Sequence, residues 1–263
     1  MQLSQLYIYP IKSLGAISLQ QSKIDRFGLQ HDRRWMLVDE QGQFVTQRRH
    51  SELCFFDVSA YEDGFRITNR KHTQFGLELP LAKVSGQKKL VTVWNDTINA
   101  ELVDPEIDEL FSQVLGQSVS LVKMPVDGNR QVDPRYAPQG TVTAFSDGFP
   151  LLLIGQSSLD HLNAKLQLPI DMLRFRPNLV FTGGEPHFED TLKTFQIGPA
   201  AFQAVKPCSR CVVTTIDPES ALRSPEPLRT LSKYRLQDGK VMFGMNVLAL
   251  SEGFLQVGDS LSQ

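Results

Sequence analysis

The stretch WMLVDEQGQFVTQRRHSELCFFDVSAYEDGFRITN, residues 35–69, decides the reading of the fold. Short runs rich in β-branched and aromatic residues (WMLVD, GQFVTQR, ELCFFDVSA and GFRITN) are separated by the turn candidates Asp39-Glu40-Gln41-Gly42 and Tyr61-Glu62-Asp63-Gly64. Runs of this kind between polar, Gly-bearing turns predict strands, and their spacing fits an antiparallel meander or barrel. LSQLYIYPI upstream and KLVTVW downstream extend the pattern, with no βαβ rhythm in this half. Closing such a sheet removes its exposed edges, which favours a barrel over an open sheet.

Beyond these strands the sequence predicts a helix. Pro105 fits its first position with Asp104 as cap, and Ile107, Leu110, Phe111, Val114 and Leu115 form an apolar stripe that stops near Gly116. A boundary is expected between residues 117 and 125, giving units of 1–120 and 121–263. The irregular segment RQVDPRYAPQGTVTAFSDGFP is long enough to be functional or mobile. LLLI reads as a buried strand, and Ser157-Ser158-Leu159-Asp160 resembles a capping box opening a helix. Strands are expected at NLVFTG, KTFQIG, AAFQAV, CVVTTI and FLQVGD. The fold class is therefore mainly β with some helices.

Composition narrows the function. At 263 residues, 41% hydrophobic and 21% charged, the chain has the make-up of an ordinary globular protein. A formal net charge of -2 lacks the basic footprint a general nucleic-acid grip requires. No apolar run approaches a membrane span, and the start MQLSQLYIYPIKS does not read as a signal peptide. Three cysteines are too few for a stapled secreted fold, so a reducing cytoplasm is the expected location.

Two of those cysteines stand in CSRCVVTT, residues 208–215. Structural zinc needs about four ligands, and no second pair exists. A thioredoxin-like redox pair needs its first cysteine at a helix N-terminus, whereas VVTTI reads as strand. Two partly buried thiols remain the plainer reading, although Lys206 and Arg210 would favour a thiolate. Elsewhere, Lys12-Ser13, Arg33-Arg34, Arg174 and Arg176 follow or precede strand-like runs. Each is singly an ordinary surface residue; together they are the donor types that grip a phosphate. No Walker or dinucleotide Gly-rich loop and no G-x-S-x-G elbow is present, and the five histidines lack metal spacing. Asp147 in FSDGFP fits either a turn cap or an acceptor for a heterocycle, and Glu189 and Asp217 are weaker acid candidates.

YPIKS, DRRW, FSDGFP, RFRPN and CSRCVVTTIDPES, in this order, resemble the MOSC family with its N-terminal β-barrel extension. That family includes the mitochondrial amidoxime-reducing component and bacterial reductases of N-hydroxylated compounds, and the resemblance runs over roughly residues 3–261. It implies a barrel-like MOSC domain beside a smaller N-terminal barrel-like domain, and a molybdenum cofactor whose pterin dithiolene ends in a phosphate.

By the resemblance, Cys211 is the molybdenum ligand and catalytic residue, with Cys208 a neighbour. Lys12, Ser13 and Arg33 match the phosphate-holding positions. Asp147 and Gly148 match pterin-contacting positions, where relatives often carry Thr, and Arg176 and Asn178 match further contacts, with Arg174 an added candidate. A soft thiolate suits such a metal. The implied activity is reduction of a small N-hydroxylated substrate. Too few cysteines remain for an iron–sulfur cluster, so electrons are expected from a separate flavin or iron–sulfur protein. A molybdenum-cofactor or sulfur carrier is the alternative.

Overall fold

A computed structural model describes residues 1–263. The largest sheet has nine strands. Its main path runs Leu261–Ser262, Thr194–Ile197, Ala200–Ser209, Lys240–Ala249, Leu151–Gly155, Leu179–Thr182, Gln2–Ile8, Ile17–Leu19. Its pairs are antiparallel except Leu151–Gly155 with Leu179–Thr182, which run parallel across the helix Gln156–Asn163. A four-stranded sheet joins Trp35–Val38, Ser120–Lys123, Asp96–Leu102 and Lys88–Val93. Phe56–Tyr61, Gly64–Asn69 and Gly76–Pro80 form the meander expected around the Tyr61–Gly64 turn. With three α-helices among many strands, the molecule is mainly β and barrel-like.

The halves trade strands. Gln2–Ile8 pairs with Leu179–Thr182, and Gly253–Gln256 pairs with Gln21–Asp25. The expected boundary at 120/121 falls within Ser120–Lys123, which pairs with Trp35–Val38 and Asp96–Leu102. The main apolar core likewise draws Leu3, Phe56 and Phe111 together with Leu153, Phe202 and Leu255. Phe56, Phe75 and Phe111 meet with ring centroids 5.1 to 5.4 Å apart, tying the Pro105–Leu115 helix to the meander. That helix forms as read: Asp104 accepts from the Glu106 amide, and Gly116 leaves it in the left-handed region.

Three local readings change, and one strand goes unannounced. GQFVTQR makes only isolated bridges, at Phe44 and Gln43, before the Thr46 carbonyl accepts from the Arg49 and His50 amides to close a turn. CVVTTI is not a strand but a 3-10 turn over Val212–Thr215. Its threonine hydroxyls donate back to the carbonyls of Cys211 and Val212 at 3.0 and 2.7 Å, a local bond that overrides β propensity. The helix Gln156–Asn163 has no side-chain cap because its N-cap is Gly155; Ser158 lies inside the first turn, where its hydroxyl donates to Glu189. Lys240–Ala249, central to the large sheet, carries Gly244 at φ 79°, which breaks the sequence pattern that would announce a strand.

Candidate functional site

Segments from both halves enclose a narrow, polar-rimmed cleft of about 140 Å3. Lys12, Ser13, Arg33, Asp147, Gly148, Arg176, Asn178 and Cys211 all line it. Arg174, also expected, does not. It sits in the 3-10 turn Met172–Phe175 and faces the neighbouring cavity, where Nε donates to the Thr214 carbonyl at 2.9 Å. Arg176, two residues on, is left-handed (φ 55°) and borders both cavities.

Three cleft residues hold left-handed backbone without being glycine: Ser13 (φ 72°), Arg33 (φ 47°) and Arg176. Such conformations cluster where a structure must aim a side chain. The guanidiniums of Arg33 and Arg176 lie 4.3 and 4.1 Å from the centroid of the buried Tyr9 ring. Arg33 donates to Asp32 at 2.6 Å, to the Asn178 side-chain carbonyl at 3.0 Å and to the Arg176 carbonyl at 3.1 Å. Asn178 also accepts from the Leu152 amide and donates to the Tyr7 carbonyl. Its amide is thus committed to the protein, and its role is to aim Arg33.

Burial is the dominant influence on the cationic groups. It lowers the Lys12 ammonium, against the opposing pull of Asp147, and pushes the Arg176 guanidinium down to about 10. Arg176 keeps one buried nitrogen, Nη2, without a partner, the mark of a site awaiting an acceptor. For Asp147, desolvation would raise the carboxyl, but Lys12 and Arg48 outweigh it and hold the group well below the ordinary carboxylate range.

The structure adds residues that sequence reasoning missed. Thr46, Gln47 and Arg48 line the cleft from the turn mistaken for a strand; the paired arginines of TQRRH were the available signal. Arg130, 5% exposed, donates to the carbonyls of Ala144 (3.0 Å), Ser146 and Asp147 (2.8 Å), while its Nε meets Asp96 at 2.8 Å. It fixes the backbone that presents Asp147, and nothing around it in sequence marks that task.

All three cysteines are free. Cys208 ends the strand Ala200–Ser209, and Cys211 precedes the Val212–Thr215 turn. Arg210 turns to Cys208, donating to its sulfur at 3.0 Å and to the Phe175 carbonyl at 2.6 Å. The weaker acid candidates lie elsewhere. Asp217 accepts from the amides of Glu219 and Ser220 in a turn. Glu189 is fully buried at the start of the Gln156–Asn163 helix, accepting from Ser158 at 2.9 Å.

Fold and cleft define a β-rich protein with a cationic, thiol-bearing ligand site between two interleaved halves. Residues 1–118 match the MOSC N-terminal beta barrel domain family and residues 140–262 the MOSC domain family. The chain is 30% identical over 275 residues to mitochondrial amidoxime-reducing component 1 of Mus musculus, covering 97% of this chain and 80% of that one. It is 31% identical over 277 residues to mitochondrial amidoxime reducing component 2 of Rattus norvegicus, covering 97% and 81%. Against the molybdenum cofactor sulfurase of Oryza sativa subsp. japonica the identity is 30% over 292 residues, covering 98% of this chain but 35% of that protein. The chain thus spans about a third of the plant protein's length. It belongs to the family that joins a MOSC N-terminal β-barrel to a MOSC domain, together with the amidoxime-reducing components. The expectation of a cytoplasmic location is withdrawn, because these amidoxime-reducing relatives are mitochondrial proteins. No helix is long and apolar enough to cross a membrane.

Proposed function

We propose that this chain is a molybdenum-cofactor-dependent oxidoreductase that reduces N-hydroxylated compounds, taking electrons from a separate flavin or iron–sulfur protein. The observation that carries the reading is one cleft joining the Cys211 thiol to Lys12, Arg33 and Arg176. The donor set fits the group. No three His, Cys, Asp or Glu side chains converge as a metal cage, so a metal here would bring its other ligands with it, as a dithiolene does. The unpartnered Arg176 nitrogen supplies an acceptor-hungry cation for a phosphate-bearing pterin, and the buried Lys12 ammonium, held by Asp147 and the Phe145 carbonyl, adds a second positive charge.

Cys211 would ligate the metal through its thiolate. Lys12, Ser13 and Arg33 would hold the phosphate, Arg176 the pterin, and Gly148 would let the ligand pass close to the backbone. Bound there, the cofactor would supply the two-electron chemistry that removes oxygen from an N–O bond. Asn178 and Tyr9 keep Arg33 and Arg176 in place. Arg130 holds the rim that carries Asp147. The division into units of 1–120 and 121–263 belongs to the same proposal.

Metal analysis combined with pterin release, on protein made in a cofactor-producing host, tests the binding half of the reading. Molybdenum and pterin near one per chain support it, and protein devoid of both overturns it. A second reading, a cofactor or sulfur carrier, draws on the similarity to the rice sulfurase. A persulfide on Cys211, seen by mass spectrometry of freshly isolated protein, would favour it.

A further inference from the structure

At the mouth of the cleft, three donors from the N-terminal half converge on one carboxylate of the C-terminal half. Lys12 Nζ donates to Asp147 Oδ1 at 2.6 Å, and Arg48 Nη2 donates to Oδ2 at 3.1 Å. The indole N–H of Trp94 donates to Oδ1 at 3.3 Å. The burial is lopsided: the Lys12 side chain is 7% exposed, that of Asp147 59%. Asp147 is therefore the outermost member of the cluster, set over an ammonium buried beneath it.

The donors are braced. Arg48 lies 4.3 Å from the Trp94 ring centroid, Trp94 packs on Phe44 at 5.3 Å, and Lys12 stands 5.5 Å from Phe44. Trp94 forms the turn between Lys88–Val93 and Asp96–Leu102 with left-handed backbone (φ 59°), yet leaves 44% of its surface exposed. An exposed tryptophan in a conformation that L-residues rarely adopt is held there by its surroundings. The acceptor has room to move. Its backbone carbonyl is fixed by Arg130 at 2.8 Å, but the next residue, Gly148, has no neighbour within 4 Å of a built Cβ position. Two cations and an indole N–H around paired oxygens form the donor arrangement that receives a terminal phosphate.

We propose that Lys12, Arg48 and Trp94 form an anion subsite in which the Asp147 carboxylate holds the ligand's place, and that a phosphate-terminated ligand displaces it on entry. For the identity of that ligand the inference rests on the cofactor reading above; the subsite itself is defined by its donors. Asp147 then acts against the ligand, as a competing anion, rather than as a contact for it. It also sets a threshold: a dianionic phosphate can outcompete a tethered carboxylate, whereas a monoanion gains too little. Arg48 and Trp94 become specificity-determining contacts.

Inorganic phosphate, titrated calorimetrically into protein made in a host lacking the cofactor, tests this, with tryptophan emission as a second readout. Trp35 is 1% exposed, so the emission change reports Trp94. Asp147→Asn and Asp147→Thr are expected to bind phosphate at least about tenfold more tightly than wild type. Trp94 emission should shift on binding in wild type and in both variants, at lower phosphate in the variants, and Lys12→Met should abolish binding throughout. Circular dichroism and melting curves confirm that the variants are folded. Phosphate binding that is unchanged or weaker in both Asp147 variants, with Lys12→Met still weakening wild type, overturns the displacement and leaves the cofactor reading standing. Absence of phosphate binding in every variant overturns the subsite. Higher pterin recovery with Asp147→Asn from a cofactor-producing host would identify the cofactor as the displacing ligand. A gain limited to inorganic phosphate would identify the free anion.

Discussion

Arg210 donates to the sulfur of Cys208 at 3.0 Å, and no hydrogen bond occupies the sulfur of Cys211. The two thiols of CSRC therefore sit in different surroundings. Both cysteines line the cleft, but Cys208 is held by Arg210, itself anchored on the Phe175 carbonyl, whereas the Cys211 sulfur has no hydrogen-bond partner.

Cys211→Ala is accordingly expected to abolish activity of the cofactor-loaded protein, whereas Cys208→Ala should lower it by about tenfold or less, the scale of a supporting contact. Steady-state reduction of benzamidoxime with an artificial electron donor measures both. Equal losses would restore a paired role for the cysteines.

Arg130→Ala should cost about 2–3 kcal/mol of stability, because it leaves three rim carbonyls without a donor, while the half-exposed Asp96 is taken up by water. Urea denaturation of the two proteins gives the difference directly. A loss below about 1 kcal/mol would mean that water replaces the guanidinium easily.

Two buried groups give the protein opposing pH responses. Burial pushes the Glu189 carboxyl up to about 7 from 4.5, so the folded state keeps a proton that the unfolded chain releases, and stability falls as pH rises from about 4.5 to 7. Burial pushes the His187 imidazole down to about 4 from 6.5, so the unfolded chain binds the extra proton, and stability falls as pH drops from about 6.5 to 4. In the shared window the slopes offset each other. Glu189→Gln removes the first, and stability should then rise with pH from 4 to 6.5. Relative to wild type, the gain at pH 7 over pH 4.5 should be on the order of 2–3 kcal/mol. Denaturation midpoints at several pH values test this; an unchanged profile would mean that Glu189 ionises normally in the folded protein.

The sequence made the meander legible because Tyr61–Gly64 and its flanking alternation are local signals, and the Pro105–Leu115 helix because both ends carry caps. It failed where hydroxyl bonds to the backbone or a single glycine override the strand pattern. Thr214 and Thr215 bend a β-branched run into a 3-10 turn, and Gly244 hides the central Lys240–Ala249 strand. Eight of the expected residues share one cleft, although no local spacing brings Lys12, Asp147 and Cys211 together. Arg174 and Arg176 part company only in tertiary structure: Arg174 borders the neighbouring cavity alone, whereas Arg176 borders both. Arg48 and Arg130 escaped because their partners lie 99 and 14 to 34 residues away in sequence.

The most direct test of the central claim is turnover of benzamidoxime by purified, molybdenum-loaded protein with an artificial electron donor, wild type beside Cys211→Ala. The expected result is reduction to benzamidine by wild type and none by the variant. Loaded wild-type protein that leaves benzamidoxime and every other N-hydroxylated compound unreduced would contradict it.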